Sequence, residues 1–177
     1  MRASVDIHDR IADLLGYPSA GGAARVLAIA SDVASFEPGL AEALRPLIEL
    51  AGTGRTGELE ESYAAAFDNN AERALEVGWH AFGENYTRGA FLVRMRERLR
   101  EHGIQETSEL PDHLSHVLRV LGRAEERQAT LLTEAIVLPA VEKMLAAAPK
   151  ADPWRGAVEA ARELLKTHLA AGEPAHA

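Results

Sequence analysis

Residues 111–122, "PDHLSHVLRVLG", carry the pattern that decides the fold. The apolar side chains of this stretch recur at intervals of three and four residues, so they share one face of an α-helix. They are Leu114, Val117, Leu118 and Leu121. We expect the helix to begin at Pro111, because proline is favoured in the first helical turn, and to end at Gly122.

The same helical spacing recurs on both sides of this stretch. The apolar positions that show it are Ile7, Ile11, Leu14 and Leu15; Val26, Leu27, Ala30 and Val33; Leu40, Leu44, Leu47 and Ile48; Leu59, Tyr63, Ala66 and Phe67; Phe91, Leu92, Met95 and Leu99; Leu131, Ala135, Leu138 and Val141; and Trp154, Val158, Ala161, Leu165 and Leu169. No segment alternates apolar and polar residues between hairpin turns, so we expect no strands. The sequence therefore predicts an all-α fold, with one domain over residues 1–172 and a disordered tail at 173–177.

Prolines and glycines predict where the helices are interrupted. Pro46 should bend its helix or divide it into two pieces, and Pro139 should kink a long helix. The cluster "GTGRTG" at 52–57 predicts a loop, since glycine tolerates backbone conformations that other residues avoid. Residues 71–86 are less periodic and predict irregular structure or a short helix. Ser4 is a candidate N-cap for the first helix.

Composition and charge exclude several classes of function. The chain has 177 residues, 47% of them hydrophobic, and a formal net charge of -8. This negative charge argues against electrostatic binding of nucleic acid or anionic lipid over a broad surface. It has no cysteine, so disulfides, thiolate nucleophiles and cysteine-ligated metal sites are excluded. We find no secretory signal pattern and no apolar run long enough for a membrane helix, and expect a cytoplasmic protein.

The best metal-site candidate overlaps the stretch that decides the fold. His113 and His116 are three residues apart, and Glu109 or Asp112 is close enough in sequence to assist them. This set would make the protein a small helical metalloprotein. The alternative is that both histidines lie on the solvent side of a helix whose leucines face inward.

Other pairs with metal-ligand or ion-pair spacing are weaker. Glu76 and His80 are four residues apart and fit a simple intrahelical pair. Glu173 and His176 have the Glu-x-x-His spacing of di-iron proteins, but Pro174 lies between them in the tail. Neither pair predicts a metal site.

A run of arginines follows at Arg88, Arg94, Arg96, Arg98 and Arg100. On a helix these residues form two rows of positive charge, interrupted by two glutamates. Such rows are typical of a solvated face that pairs with acids on neighbouring helices. A site for an anion or a second partner is the alternative, and a nucleic-acid site is disfavoured by the acidic chain.

Three segments in one order indicate a family. The sequences "LEESYAAAFD" at 59–68, "GWHAFGENYTRGAFLVRMRERLREHGI" at 78–104 and "ELPDHLSHVLRVLG" at 109–122, with "LLGYP" at 14–18, resemble the NarJ/TorD/DmsD superfamily of molybdoenzyme assembly chaperones. The arginine-rich segment is most similar to the NarJ side and to the chaperones of type II enzymes of the dimethyl-sulfoxide-reductase family. The stretch "NNAERALEV" at 69–77 departs from the family pattern, because it lacks the proline and the apolar run often present there.

The resemblance implies a fold and a function. It implies an all-α, single-domain bundle of roughly seven to nine helices, TorD/NarJ-like, which is a chaperone and not an enzyme. Such a chaperone binds the N-terminal segment of a molybdoenzyme catalytic (alpha) subunit, its client, and holds that subunit while molybdenum bis-molybdopterin guanine dinucleotide is inserted. It binds no cofactor stably itself. The resemblance allows a monomer or a helix-swapped dimer.

The resemblance also implies functional positions. The client-binding positions carried over from the family's motifs are Tyr63, Phe67, Asp68, His80, Phe82, Gly83 and Arg88. We add Trp79 and Glu84 to the client-binding positions on the physical argument for a groove that follows. Pro111, Asp112 and His113 match a hinge motif associated with client binding, and we expect the segment 104–111 to move on release.

A client segment with a basic residue beside an apolar stretch needs an apolar groove with acids on its rim. We expect the aromatic side chains of Tyr63, Phe67, Trp79 and Phe82 to form the floor of one such groove, although core packing is the alternative for Phe67. The expected rim consists of Glu60, Glu61, Asp68 and Glu84.

Overall fold

A computed structural model describes residues 5–172. The helices are α1 (Val5–Leu14), α2 (Gly22–Phe36), α3 (Leu40–Gly52), α4 (Thr56–Tyr63), α5 (Val77–Phe82), α6 (Tyr86–Glu101), α7 (Leu114–Arg123), α8 (Glu126–Leu132), α9 (Leu138–Ala147) and α10 (Arg155–Gly172). A π-helical turn, Ala64–Asp68, extends α4, and another, Thr133–Val137, joins α8 to α9. The described residues thus form nine continuous helices and no strand, which confirms the predicted all-α bundle.

One contiguous hydrophobic core draws on all ten helical segments. The helix predicted from residues 111–122 contributes the four predicted leucine and valine side chains to this core, since Leu114, Val117, Leu118 and Leu121 are all fully buried. This helix, α7, packs against α1. Because burial of a leucine-sized side chain stabilises a fold by roughly 1.5–3 kcal/mol, this face alone contributes several kcal/mol.

Both ends of α7 differ from the prediction. The helix starts three residues after Pro111, and His113 is its N-cap: the Nδ1 atom accepts a hydrogen bond of 3.2 Å from the backbone N–H of Ser115. Nor does Gly122 end the helix, which continues past it. A Cβ atom at Gly122 would lie 2.9 Å from the ring of His8, so this glycine permits close packing of α7 on α1.

The two helix-internal prolines behave differently. The helix α3 continues through Pro46 undivided. The sequence predicted a kink at Pro139, and the structure has the π-helical turn Thr133–Val137 just before this proline. Proline lacks the N–H for the bond to residue 135 and crowds that carbonyl group, so a wider turn before the proline relieves the clash.

The π-helical turn also changes which face of α8 is buried. The sequence spacing predicted Leu131 and Ala135 on the inner face, but both are exposed. Ala129, Thr133 and Val137 are buried instead. A π-helical turn takes up one more residue than an α-helical turn, so a face extrapolated back from α9 by α-helical spacing points to the wrong residues.

The other predicted interruptions between helices are confirmed. The glycine-rich cluster contains the loop between α3 and α4, where Gly54 has a φ of 69°. Residues 71–86 form turns and the short helix α5. Ser4 and the predicted tail at 173–177 lie outside the described residues. No helix between residues 5 and 172 is long and apolar enough to cross a membrane.

Candidate functional site

Two distant segments of the chain are joined by backbone hydrogen bonds just before α5 and α7. The N–H of Val77 donates to the carbonyl of Asp112 at 2.9 Å, and the N–H of Leu114 donates to the carbonyl of Leu75 at 2.8 Å. The two segments form an isolated antiparallel bridge. This pairing explains why α7 begins after Pro111. Residues 110–113 form a turn, in which the His113 N–H donates to the Leu110 carbonyl at 3.0 Å, and His113 itself is extended and pairs with Glu76.

The carboxylate of Asp112 reinforces this junction. It is completely buried, and its Oδ2 atom accepts hydrogen bonds from the Gly78 N–H at 3.1 Å and from the Arg88 Nε–H at 3.3 Å. Burial raises the pKa of Asp112, while the Arg88 guanidinium opposes this shift. The guanidinium also lies 5.8 Å from the ring centre of Trp79. Asp112 and Arg88 therefore hold α5 and α6 against the start of α7.

Tyr63 and Phe67 belong largely to the core. Their rings make edge contacts with each other and with Trp154, at centroid distances of 5.0 to 6.0 Å. The Tyr63 hydroxyl donates to the Leu15 carbonyl at 2.9 Å, and burial raises the pKa of this hydroxyl. With exposures of 2% and 4%, the two rings cannot form the floor of an open groove.

The same two rings line the inside of a small cavity, which we call the acidic pit. It has a volume of about 80 Å³ and is lined by Tyr63, Phe67, Asp68, Ala74, Leu75, Glu76, Glu109 and His113. Burial raises the pKa of all three carboxyl groups. The charge of Asp112 adds to the shift at Glu76, and that of Asp68 adds to the shift at Glu109. The pit therefore brings together three carboxyl groups whose charged forms burial disfavours, and a cation in the pit would stabilise those charged forms.

A larger recess, the apolar groove, opens between α5 and the end of α9. It has a volume of about 610 Å³ and is lined by Ala71, Glu72, Trp79, His80, Gly83, Lys143, Ala146 and Ala147. Its walls are fixed by hydrogen bonds. The Trp79 Nε1–H donates to the Ala71 carbonyl at 2.9 Å, the His80 Nε2–H donates to the Ala74 carbonyl at 2.7 Å, and Lys143 Nζ donates to the His80 carbonyl at 2.7 Å.

The predicted client-binding positions are thus divided between two recesses. Asp68 lines the acidic pit, whereas Trp79, His80 and Gly83 line the apolar groove. The ring of Phe82 packs on Phe91 at 5.4 Å. The expected rim residues Glu60, Glu61 and Glu84 line neither recess.

Several lining residues were not predicted as binding positions. Glu76 and Glu109 were considered only for an ion pair and a metal site. Lys143, Ala146 and Ala147 come from a helix more than sixty residues further along the chain, and no sequence signal links them to α5.

The structure does not place the histidines on the solvent side of a helix. His113 is 3% exposed and His116 is completely buried. Both ring nitrogens of His116 are engaged, since Nδ1–H donates to the Leu110 carbonyl at 2.9 Å and Nε2 accepts from the Thr107 N–H at 3.2 Å. Over the described range, no three His, Cys, Asp or Glu side chains are grouped to hold a metal ion. The geometry gives no support to a metal site of Glu109, His113 and His116.

The arginine rows of α6 are partly paired. Arg96 forms an ion pair of 2.9 Å with Glu106, and Arg98 donates to the Gln128 side chain at 3.2 Å. Arg94 and Arg100 are exposed, and neither makes an ion pair within residues 5–172. The rows therefore behave mainly as a solvated face.

The buried His113 should make stability depend on pH. Burial and the nearby His116 lower the pKa of His113 to about 3, whereas an unfolded histidine titrates near 6.5. The unfolded chain therefore binds the extra proton between these values, and stability falls as the pH drops through that window. From this group alone, we expect a loss of about 2 kcal/mol between pH 8 and pH 5.

A His113→Asn variant isolates this contribution, because asparagine keeps an acceptor at the N-cap. Urea unfolding at both pH values should show that the variant loses about 2 kcal/mol less than the wild type. Equal losses in the two proteins would contradict a buried neutral histidine.

A comparison with known families identifies the family of this chain. A family model described as nitrate reductase delta subunit matches residues 33–171. This chain belongs to the nitrate reductase delta subunit family. A search of curated proteins gives no match.

The nitrate reductase delta subunit family comprises molybdoenzyme assembly chaperones, not catalysts. This membership confirms the resemblance to the NarJ/TorD superfamily. Every residue of the acidic pit and the apolar groove lies within the matched range. In this delta-subunit family member, the two recesses are the candidate places where another protein docks.

Proposed function

We propose that this protein binds the N-terminal segment of a molybdoenzyme catalytic subunit in the cytoplasm and holds that subunit while bis-molybdopterin guanine dinucleotide is inserted. The observation that carries the proposal is the acidic pit beside the apolar groove. Residues 74–76 line the acidic pit, and residues just before and just after them line the apolar groove, so one extended or helical segment can reach both recesses.

The chemistry of the two recesses is complementary to a basic, amphipathic segment. The apolar groove accepts apolar side chains from one face of the segment, which is the usual mode of helix-in-groove recognition. The acidic pit accepts one guanidinium or ammonium group, because three acidic residues line a cavity about the size of a side-chain end. The carboxyl groups of the pit also favour basic client segments, because they repel acidic ones.

The residues of the recesses do not suit the cofactor itself. Bis-molybdopterin guanine dinucleotide carries phosphates, which require a group of cations or free N–H donors. The carboxyl groups of the acidic pit have the same sign of charge as phosphates and would repel them, and the apolar groove is lined by a single lysine, Lys143, and no arginine. We therefore propose that the chaperone acts on the client polypeptide and that the cofactor binds to the client.

The test is retention of a client by the tagged protein, used as bait in an anaerobic lysate of its own host. Wild-type bait is compared with a Glu76→Gln/Glu109→Gln variant. Because burial disfavours the charged form of both carboxyls, glutamine at these positions should not destabilise the fold. We expect the wild type to retain a large molybdoenzyme subunit, and the variant to bind its N-terminal peptide at least about tenfold more weakly, by roughly 1.4 kcal/mol.

A Glu49→Gln/Glu97→Gln variant is the matched control. It makes the same change in net charge at two exposed positions outside both recesses, and should bind like the wild type. Tyr63→Ala and Phe67→Ala are unsuitable as controls, because both side chains are in the core. If folded wild-type bait retains no molybdoenzyme subunit while those enzymes are expressed, the proposed function is wrong.

A further inference from the structure

The two recesses are separated by one turn of the chain, which we call the shared wall. It consists of residues 71–76. Ala71 and Glu72 face the apolar groove, and Ala74, Leu75 and Glu76 line the acidic pit. Movement of this turn would change the shape of both recesses together.

The remaining residue of the shared wall, Arg73, points into the protein. It is 5% exposed, and its two terminal nitrogens donate to the two carboxylate oxygens of Asp152 at 2.9 and 2.8 Å. Its guanidinium also lies 5.7 Å from the ring centre of Phe67. Arg73 thus ties the wall to the loop between α9 and α10 and to the aromatic core beneath the pit.

Asp152 is itself fixed. Its Oδ1 atom accepts a hydrogen bond of 2.9 Å from the backbone N–H of Trp154, whose ring packs on Tyr63 and Phe67. A buried, bidentate arginine–carboxylate pair is both strong and directional, so it fixes the position and the orientation of the turn. A lysine would keep the charge but lose the fixed two-pronged geometry.

We propose that the buried Arg73–Asp152 ion pair positions the shared wall, so that both recesses are formed before a ligand arrives. Arg73 is then a positioning residue for client binding and does not touch the client. The link to binding rests on the proposed function. The positioning itself does not, because it is a property of the protein alone.

The first test measures amide hydrogen exchange of the free protein. In an Arg73→Gln variant, we expect exchange within residues 71–76 to rise by at least about tenfold. The matched control is Arg123→Gln, which removes another two-pronged pair: Arg123 donates to both oxygens of Asp9 at 2.8 and 2.9 Å, between α7 and α1. The control should leave exchange in the shared wall unchanged, and unchanged exchange in the Arg73→Gln variant would overturn the proposal.

The second test measures affinity for a synthetic peptide that copies the N-terminal segment of the retained subunit. We expect about fivefold or greater weakening in Arg73→Gln, an intermediate value in Arg73→Lys, and wild-type affinity in Arg123→Gln. Faster wall exchange with unchanged peptide affinity would overturn the role in binding. If the bait retains no subunit, the proposed function fails, while the exchange experiment still decides whether Arg73 positions the wall. If Arg73→Gln does not fold, Arg73→Lys replaces it in both tests.

Discussion

A Gly156→Ala variant is expected to lose about 3 kcal/mol or more of unfolding free energy, at the upper end of the cost of overpacking a core. The added Cβ atom would lie 2.1 Å from the carbonyl oxygen of Ala43 and 3.0 Å from the backbone nitrogen of Leu44. Both atoms belong to the backbone of α3, which cannot rotate away as a side chain can. The helices α3 and α10 would have to separate.

A second glycine-to-alanine change supplies the control. Gly89 lies inside α6 with no atom within 4 Å of the added Cβ, so Gly89→Ala should stabilise the protein by roughly 0.5–1 kcal/mol through helix propensity. The two variants are compared by chemical denaturation. If Gly156→Ala is as stable as the wild type, α3 and α10 do not approach as closely as the structure shows.

An Asp112→Ala variant is expected to lose about 3–5 kcal/mol of unfolding free energy, the usual effect of removing one partner of a buried ion pair. The change leaves the Gly78 N–H without its acceptor and the Arg88 guanidinium without its carboxylate. Asp112→Asn should cost less, because the amide oxygen still accepts from Gly78. Both are measured by urea unfolding at pH 7.

The control for Asp112 is Asp13→Ala, at a carboxylate that also pairs with an arginine but is 43% exposed. Its loss should be at most about 1 kcal/mol, because exposed pairs contribute little. An Asp112→Ala variant that keeps wild-type stability but loses client binding would show that this carboxylate meets the client directly. That result would reverse the structural role assigned to it here.

This distinction matters for how the motif residues are understood. Arg88 was predicted to bind the client and Asp112 to belong to a hinge motif, yet the Asp112 Oδ2 atom accepts from the Gly78 N–H of α5 and from the Arg88 Nε–H. Burial explains the difference: a carboxylate with no exposed surface cannot meet a ligand without rearrangement, but it can set where α5 begins. The accessible acids of the pit are the exposed Asp68 and the half-buried Glu76 and Glu109. Sequence reasoning had assigned other roles to the two glutamates.

Part of the candidate site could be predicted from the sequence. Asp68, Trp79, His80 and Gly83 were predicted and do line a recess. The sequence predicted one groove, whereas the structure has two recesses on either side of the shared wall. That wall lies in the stretch "NNAERALEV", the part of the sequence without clear periodicity and without the family's usual pattern.

The sequence by itself determined the all-α class, the core face of most helices and the family. The fold class and the core faces follow from local spacing, because residues three and four apart share a face whatever the rest of the chain does. The family follows from the resemblance of the motif segments and their order. The sequence could not determine the shift in the buried face of α8, because Pro139 favours a wider turn only through backbone crowding in the folded helix.

Only the tertiary structure decided where the two recesses lie and what holds them. The acidic pit joins residues from 63 to 113, and the apolar groove joins residues from 71 to 147. The Arg73–Asp152 pair spans 79 positions of sequence. Contacts over such separations depend on how whole helices pack, and packing is set by the shapes of many side chains together, not by the spacing of any few.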